Sequence, residues 1–168
     1  MPTLIQRIVD PVVVPAPAHF DFPILEETEY KRSHQKEGYL YNYSGYGLDL
    51  TETKPVGRKR VRSKDTLLTF MQIAQQLMLI KSSETGEFLS ISPRGKVKSL
   101  PLPTQGSLWK ITKKASHSNF HSLTNKATNC VLSINRRGKV RCRKEKSSQK
   151  KKSTSFLPIA TKRFGRRY

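Results

Sequence analysis

From Tyr39 onward, apolar residues alternate with polar ones in short runs that Gly, Pro and Ser separate. A period of two places alternate side chains on one face of a β-strand. Only the segment TFMQIAQQLMLI, at residues 69–80, competes as a helix. Its Gln-rich middle fits two short strands joined by a turn equally well. Because long amphipathic helix patterns are absent, we expect an all-β fold.

One sequence motif typical of a β-hairpin occurs three times along the chain. GEFLSISPRGKV at residues 86–97 and NCVLSINRRGKV at residues 129–140 lie 43 residues apart without a gap, and a weaker copy, GYGLDLTETKPV, lies at residues 45–56. Each copy has two alternate apolar residues, a polar turn and a second strand that opens on Val. PRGK and RRGK supply the Gly that a tight turn needs. Such repetition indicates three related units.

Three units of about 41–43 residues, each with roughly four strands, favour a β-trefoil. In that fold three hairpins close a six-stranded barrel and bury their apolar faces together. A β-sandwich with a duplicated hairpin is the alternative, whereas a solenoid of three units would leave its ends unprotected. We place the domain at residues 37–160. We expect a mobile, Pro-rich and acidic N-terminal arm at residues 1–36 and a basic tail at residues 161–168.

The charge of the chain is large and uneven. With 32 basic and 12 acidic residues its net charge is +20, and residues 134–168 alone contribute +13 (14 basic, 1 acidic). Such an excess predicts polyanionic partners. No apolar run approaches the roughly 20 residues of a membrane helix, so we expect no membrane insertion. Asp10 and three prolines interrupt the first apolar run, which predicts export by a non-standard route or a start further upstream.

The third repeat resembles the C-terminal third of fibroblast growth factors. The likeness rests on an N-Y-N-T-Y-like element at 119–123, an apolar strand at 131–134, the turn glycine Gly138, a basic loop at 141–152 and a closing FLPI strand at 156–159. GYLYNYSGYGLDL at residues 38–50 is similar to the family's first strand pair, and the resemblance extends over about residues 37–160. Departures from the family pattern are Glu84, Lys110 and Phe120.

The resemblance implies an extracellular growth factor without a cofactor, which binds heparan sulfate and a fibroblast growth factor receptor tyrosine kinase to trigger signalling. Its basic loop would be the heparan sulfate site, because lysines and forked arginines pair with sulfate and carboxylate. Nucleic acid phosphates would be attracted by the same charge. Residues 134–153 contain no aromatic side chain for base stacking, which favours the sulfated sugar. The basic residues are Arg136, Arg137, Lys139, Arg141, Arg143, Lys144, Lys146, Lys150, Lys151 and Lys152.

The same resemblance implies a receptor site of exposed aromatic and aliphatic side chains, formed by Tyr41, Phe120, Leu157 and Ile159. Such groups form the energetic centre of many protein interfaces. Phe156 alternates with Leu157 on one strand, and we assign Phe156 to the core. Tyr41 fits packing at the edge of the core equally well.

A second basic cluster, GRKRVRSK at residues 57–64, is typical of a nuclear localisation signal. Together with Lys110, it supports the alternative of an intracellular or nuclear trefoil. Such a protein would bind nucleic acid or a cytosolic partner without activating the receptor. The basic residues of this cluster are Arg58, Lys59, Arg60, Arg62 and Lys64.

Cys130 and Cys142 lie symmetrically about the third hairpin turn, on the inward parity of Leu132 and Ile134. Both a cross-strand disulfide and two buried thiols fit this placement, and we expect thiols.

Residues that could support catalysis are sparse. The four histidines show no metal-ligand spacing with the cysteines, and His117 and His121 stand in loop-like sequence. The domain has too few carboxylates for a catalytic pair and no glycine loop for phosphate. We therefore expect neither an enzyme nor a metal protein. One glycosylation sequon, Asn42-Tyr43-Ser44, would matter only on the secretory route.

Overall fold

The computed structural model describes residues 22–31, 33–51, 53–59, 62–114, 117–124, 130–144 and 152–161. These residues form twelve β-strands and two short 3-10 helices, Glu27–Glu29 and Gln105–Ser107. The strands are β1 His34–Asn42, β2 Gly47–Asp49, β3 Val56–Arg58, β4 Leu68–Ala74, β5 Leu77–Ser82, β6 Phe88–Ile91, β7 Val97–Leu100, β8 Trp109–Lys114, β9 His117–Ser122, β10 Cys130–Ile134, β11 Val140–Lys144 and β12 Phe156–Ala160.

Six strands close into a barrel. Antiparallel pairs run from β1 to β4, β4 to β5, β5 to β8, β8 to β9, β9 to β12 and back from β12 to β1. The other strands form the hairpins β2–β3, β6–β7 and β10–β11, which join the barrel through β1, β5 and β9. A four-strand unit therefore occurs three times around one closed barrel. This arrangement is the β-trefoil that the sequence predicts.

The three hairpins bury their apolar faces in one shared core. The two alternate apolar residues of each repeat are at most 2% exposed and belong to one cluster with the barrel residues Trp109 and Phe156. Burying each such side chain contributes about 1.5–3 kcal/mol, which no hairpin could obtain alone. The six hairpin residues are Leu48, Leu50, Leu89, Ile91, Leu132 and Ile134.

The segment 69–80 forms two strands, as expected. Strand β4 ends at Ala74 and β5 begins at Leu77, with the turn between them at Gln75 and Gln76. Gln76 has a positive φ of 62°, a conformation common at tight turns. The register shifts between Gln72 and Ala74, which marks a bulge next to this turn.

The predicted mobile arm is wrong for residues 22–31, which pack against the second repeat. Leu25 is 2% exposed in a second core cluster, and its N–H donates to the Pro103 carbonyl at 2.9 Å. Burial raises the pKa of Tyr30, and the Glu27 carboxylate raises it further. Apolar residues in this segment cover the barrel wall, although its Pro and acidic content is typical of disorder. Residues 1–21 and the tail from 162 onward lie outside the described part of the chain.

Cys130 and Cys142 form a disulfide, which corrects the expectation of free thiols. Their Cα atoms lie 5.2 Å apart. Cys142 stands opposite Leu132 and Cys130 opposite Lys144, so the two cysteines are diagonal neighbours on the inward face of the hairpin. The alternation of inward and outward positions along the strands predicts that both cysteines face inward, but it does not show how closely the two side chains approach.

Candidate functional site

The third hairpin and the start of the closing strand present a surface of positive side chains, here called the basic surface. Its turn is fixed by Asn135, whose Oδ1 accepts from the N–H groups of Arg137 at 2.8 Å and Lys139 at 3.0 Å. Gly138 completes the turn with a φ of 80°. The exposed members of the basic surface are Arg136, Arg137, Lys139, Arg141, Arg143, Lys144 and Lys152.

Core-facing and exposed charged residues alternate along strand β11. Val140 and Cys142 are half-buried against the core, whereas Arg141 and Arg143 are exposed. Two such residues on one strand face lie about 7 Å apart. Their mutual repulsion is about 0.6 kcal/mol in water. The described residues of this hairpin include no carboxylate, so an external anion would relieve this repulsion.

Lys152 is placed beside the third hairpin by the residue that follows it. The Ser153 carbonyl accepts from the Ile134 N–H at 3.0 Å and from Asn42 Nδ2 at 3.3 Å. These hydrogen bonds join the segment before the closing strand to the end of β10 and to the end of β1. The predicted residues Lys146, Lys150 and Lys151 lie outside the described residues.

The first hairpin packs directly against the third. The Gly57 N–H donates to the Gly138 carbonyl at 2.7 Å, and Val56 forms an isolated bridge with Lys139. Gly57 permits this approach, since a Cβ at this position would collide with Ile134 Cγ2. The second basic cluster, residues 57–64, therefore begins next to the basic surface.

Within this second cluster, Arg58 also has a structural partner. Its Nε lies 2.9 Å from Oδ2 of Asp49, whose side chain is buried. The following described members, Lys59, Arg62 and Lys64, are exposed. Arg60 lies outside the described residues.

An aromatic and aliphatic surface lies where the closing strand pairs with the first strand. Tyr41 stands directly opposite Leu157, and Tyr39 directly opposite Ile159. Leu157 is 39% exposed and the other three are half-buried. Directly opposite residues have Cβ atoms about 5 Å apart, so these four form one continuous patch, here called the apolar stripe. Sequence reasoning missed Tyr39, although its spacing of two from Tyr41 was the available signal.

Phe120 corrects the expected receptor set, because it is fully buried and offers no surface to a partner. Its ring lies edge-on to Phe156, with the ring centroids 5.8 Å apart. Phe156 is fully buried as expected. The strand alternation places the half-buried His121, and not Phe120, on the outer face of β9.

The other singled-out positions lie as follows. Lys110 is exposed on β8, opposite His121 of β9, and Glu84 is exposed in the turn after β5. His117 and His121 both lie on β9, so the expectation of a loop there is wrong. Among the described residues, no group of three or more His, Cys, Asp or Glu could hold a metal ion.

The sequon asparagine Asn42 is fully buried. Its Nδ2 donates to the Ile134 carbonyl at 2.8 Å, so the atom that would carry a glycan is already bonded inside the fold. None of the described residues belongs to a helix long and apolar enough to cross a membrane.

The model of one protein family, described as fibroblast growth factor, matches residues 36–157. This match spans all three repeats and reaches Leu157 of the closing strand. The chain belongs to the fibroblast growth factor family. Members of this family are signalling ligands rather than enzymes and are generally secreted. A comparison with curated proteins gave no match.

Proposed function

We propose that this fibroblast growth factor family member binds heparan sulfate through the basic surface and a fibroblast growth factor receptor tyrosine kinase through the apolar stripe. The observation that carries the proposal is the presence of two exposed surfaces of different chemistry. One consists of seven described cations on the third hairpin and at Lys152. The other is the cross-strand patch around Leu157. Binding outside the cell to both partners would trigger receptor signalling.

The chemistry of the basic surface supports a sulfated polysaccharide. Arginine and lysine side chains make charge-assisted hydrogen bonds with sulfate and carboxylate groups. The described residues 134–144 and 152–153, which carry this surface, include no aromatic residue on which a nucleic acid base could stack. A flexible polyanion needs neither stacking nor a deep pocket.

The apolar stripe supports a protein partner. Tyr39 and Tyr41 supply large, rigid contact surfaces, and Leu157 supplies an exposed aliphatic group between neighbouring strands. Aromatic anchors such as tyrosine dominate the energy of many interfaces, and the exposed leucine extends the apolar area beside them. A polysaccharide bound to ligand and receptor together would raise their effective concentration and promote receptor pairing.

The heparan sulfate proposal is tested with a pair of symmetry-related variants. Arg137 and Lys139 on the third hairpin correspond to Arg94 and Lys96 on the second, which are also exposed. We expect Arg137→Gln with Lys139→Gln to lower the salt concentration that elutes the protein from immobilised heparin. The matched pair Arg94→Gln with Lys96→Gln removes the same charge and should shift elution less. Equal shifts would show that net charge alone causes binding, and would refute a defined site.

The receptor proposal is tested with two leucines of similar exposure. Leu157→Ala in the apolar stripe should weaken binding to the receptor ectodomain at least about tenfold, because it removes an interface anchor. Leu102→Ala is the control, since Leu102 is 45% exposed but lies on the second repeat and is not part of the apolar stripe. Surface plasmon resonance with a heparin oligosaccharide present measures the affinity of both variants for the receptor ectodomain. Equal affinities of Leu157→Ala and the unchanged protein would exclude the stripe.

The same measurements separate the growth factor from the intracellular alternative. If the unchanged protein binds heparin but no receptor ectodomain, the signalling proposal fails. Oligonucleotide competition would then be measured against immobilised heparin. Single-stranded oligonucleotides that displace the protein at concentrations where free heparin oligosaccharides do not would favour a nucleic acid partner. Phosphorylation of the receptor in treated cells distinguishes activation from binding alone.

A further inference from the structure

The barrel has an open cavity at the end away from the three hairpins. Hairpins leave the far ends of β1, β5 and β9, whereas the cavity lies near the start of β1 and the β4–β5 turn. Its volume is about 200 Å³, and residues from all six barrel strands line it. Mouths of β-barrels are common ligand sites in proteins.

The inner wall of this cavity is apolar. Phe70 of β4, Met78 of β5, Ile111 of β8 and Phe120 of β9 line it from successive neighbouring strands. Phe120 and Ile111 also belong to the main core, while Phe70 and Met78 are half-buried against it. A wall of aromatic and aliphatic side chains suits a flat apolar group. The small volume restricts that group to a ligand below the usual drug-sized range of about 300–1,000 Å³.

The exposed part of the lining contains basic residues beside the uncharged Gln72 and Pro158. Lys36 and His34 line the cavity from β1, and Lys113 lines it from β8; all three are exposed. Over the six barrel strands the single carboxylate is that of Glu37, whose neighbour Lys36 lies on the cavity side. Strand alternation therefore directs Glu37 to the other face. No carboxylate of the described barrel strands faces Lys36 and Lys113, so the two lysines give this opening a positive potential.

We propose that the barrel-end cavity binds a small organic acid with a flat apolar body. The apolar body enters between Phe70, Met78 and Ile111, and the carboxylate pairs with Lys36 and Lys113. This site is separate from the basic surface, because its cations come from β1 and β8 and not from the third hairpin. It does not depend on the proposed function.

The test uses 2-naphthoate as the probe and the full chain as the protein, with binding measured by isothermal titration calorimetry. We expect 2-naphthoate to bind more tightly than neutral 2-naphthalenemethanol. Lys113→Gln and Lys36→Gln should each weaken naphthoate binding by up to about fivefold, the range of an exposed ion pair. Lys114→Gln is the matched control, because Lys114 is the next residue of β8 and carries the same charge on the other face.

Two further arms address the location of the site. Met78→Trp should abolish naphthoate binding by filling the cavity, provided that circular dichroism shows a folded protein. Phe70→Trp is the second filling variant, in case Met78→Trp does not fold. A saturating heparin oligosaccharide should leave naphthoate binding unchanged when heparin occupies the basic surface, and this arm alone rests on the proposed function.

Several results would overturn the proposal. Absence of naphthoate binding at millimolar concentration would do so directly. An equal loss in Lys114→Gln and Lys113→Gln would assign the binding to general positive charge. Displacement by heparin would place the probe on the basic surface, and unchanged binding in a folded filling variant would place it outside the cavity.

Discussion

The buried side chain of Asn42 joins three parts of the trefoil, and its removal is a direct test of that connection. Its Nδ2 donates to the carbonyls of Ile134 at 2.8 Å and Ser153 at 3.3 Å. Its Oδ1 accepts from the N–H groups of Tyr46 at 3.0 Å and Ser44 at 3.2 Å. The end of β1 is thereby bonded to its own turn, to β10 and to the segment before β12.

The expected cost of Asn42→Ala follows from the burial of the partners. The substitution leaves the Tyr46 N–H and the Ile134 carbonyl without this partner in the interior. Each lost partner of a buried polar group costs about 1–3 kcal/mol. Ser44 and Ser153 are half-buried and can bond water instead. We therefore expect the free energy of unfolding to fall by about 2–6 kcal/mol, a large part of the 5–15 kcal/mol typical of proteins.

Urea unfolding measures this change, with Trp109 as the reporter because it is the single tryptophan and is fully buried. Asn135→Ala is the matched control. Its Oδ1 also accepts two backbone N–H groups, from Arg137 and Lys139, but on an exposed turn. There water replaces the lost bonds, so we expect a cost of about 1 kcal/mol or less. An Asn42→Ala cost no larger than that of Asn135→Ala would refute the reasoning from burial.

Two further stability predictions concern the contacts of the third hairpin. Replacing Cys130 and Cys142 by Ser should lower the free energy of unfolding by about 3 kcal/mol, because their bond closes a loop and so restricts the conformational entropy of the unfolded chain. Thermal unfolding of the unchanged protein and the variant, with and without reductant, checks this. Equal melting temperatures of the two proteins without reductant would contradict it. Gly57→Ala should cost about 1–3 kcal/mol through its clash with Ile134. Chemical unfolding measures that cost, and unchanged stability would show that the two hairpins can separate freely.

The fold could be predicted from the sequence because the repeat carries both the period of two and the turn glycines. Gly95 and Gly138 adopt positive φ values of 86° and 80°, so the glycine signal and the backbone agree. The inward parity of Leu132 and Cys130 was likewise readable. Parity fixes a face but not a distance, and for that reason the disulfide was missed.

The candidate site was predictable only in part, because pairing partners depend on register. Tyr39 acquires its place from Ile159 across the β1–β12 pair, which connects the two ends of the domain. The family resemblance assigned Phe120 to the receptor surface, although the strand turns its side chain into the core. Leu25 was missed for a different reason. Local composition predicts disorder, but it does not show which distant apolar surface a segment can cover.

The basic surface and the apolar stripe are connected by the hydrogen bonds of Asn42. Tyr41 of the stripe directly precedes Asn42, and Lys152 of the basic surface directly precedes Ser153, to which Asn42 donates. The Ile134 N–H donates to the same Ser153 carbonyl at 3.0 Å, so the third hairpin shares the connection. The relative position of the two surfaces is therefore set by hydrogen bonds within the fold, of which the Asn42 bond to the Ile134 carbonyl is buried, and not by a flexible linker. In the proposed function, a polysaccharide bound at Lys152 would lie near a receptor bound at the stripe, and a chain that bridges two nearby sites raises their effective concentration.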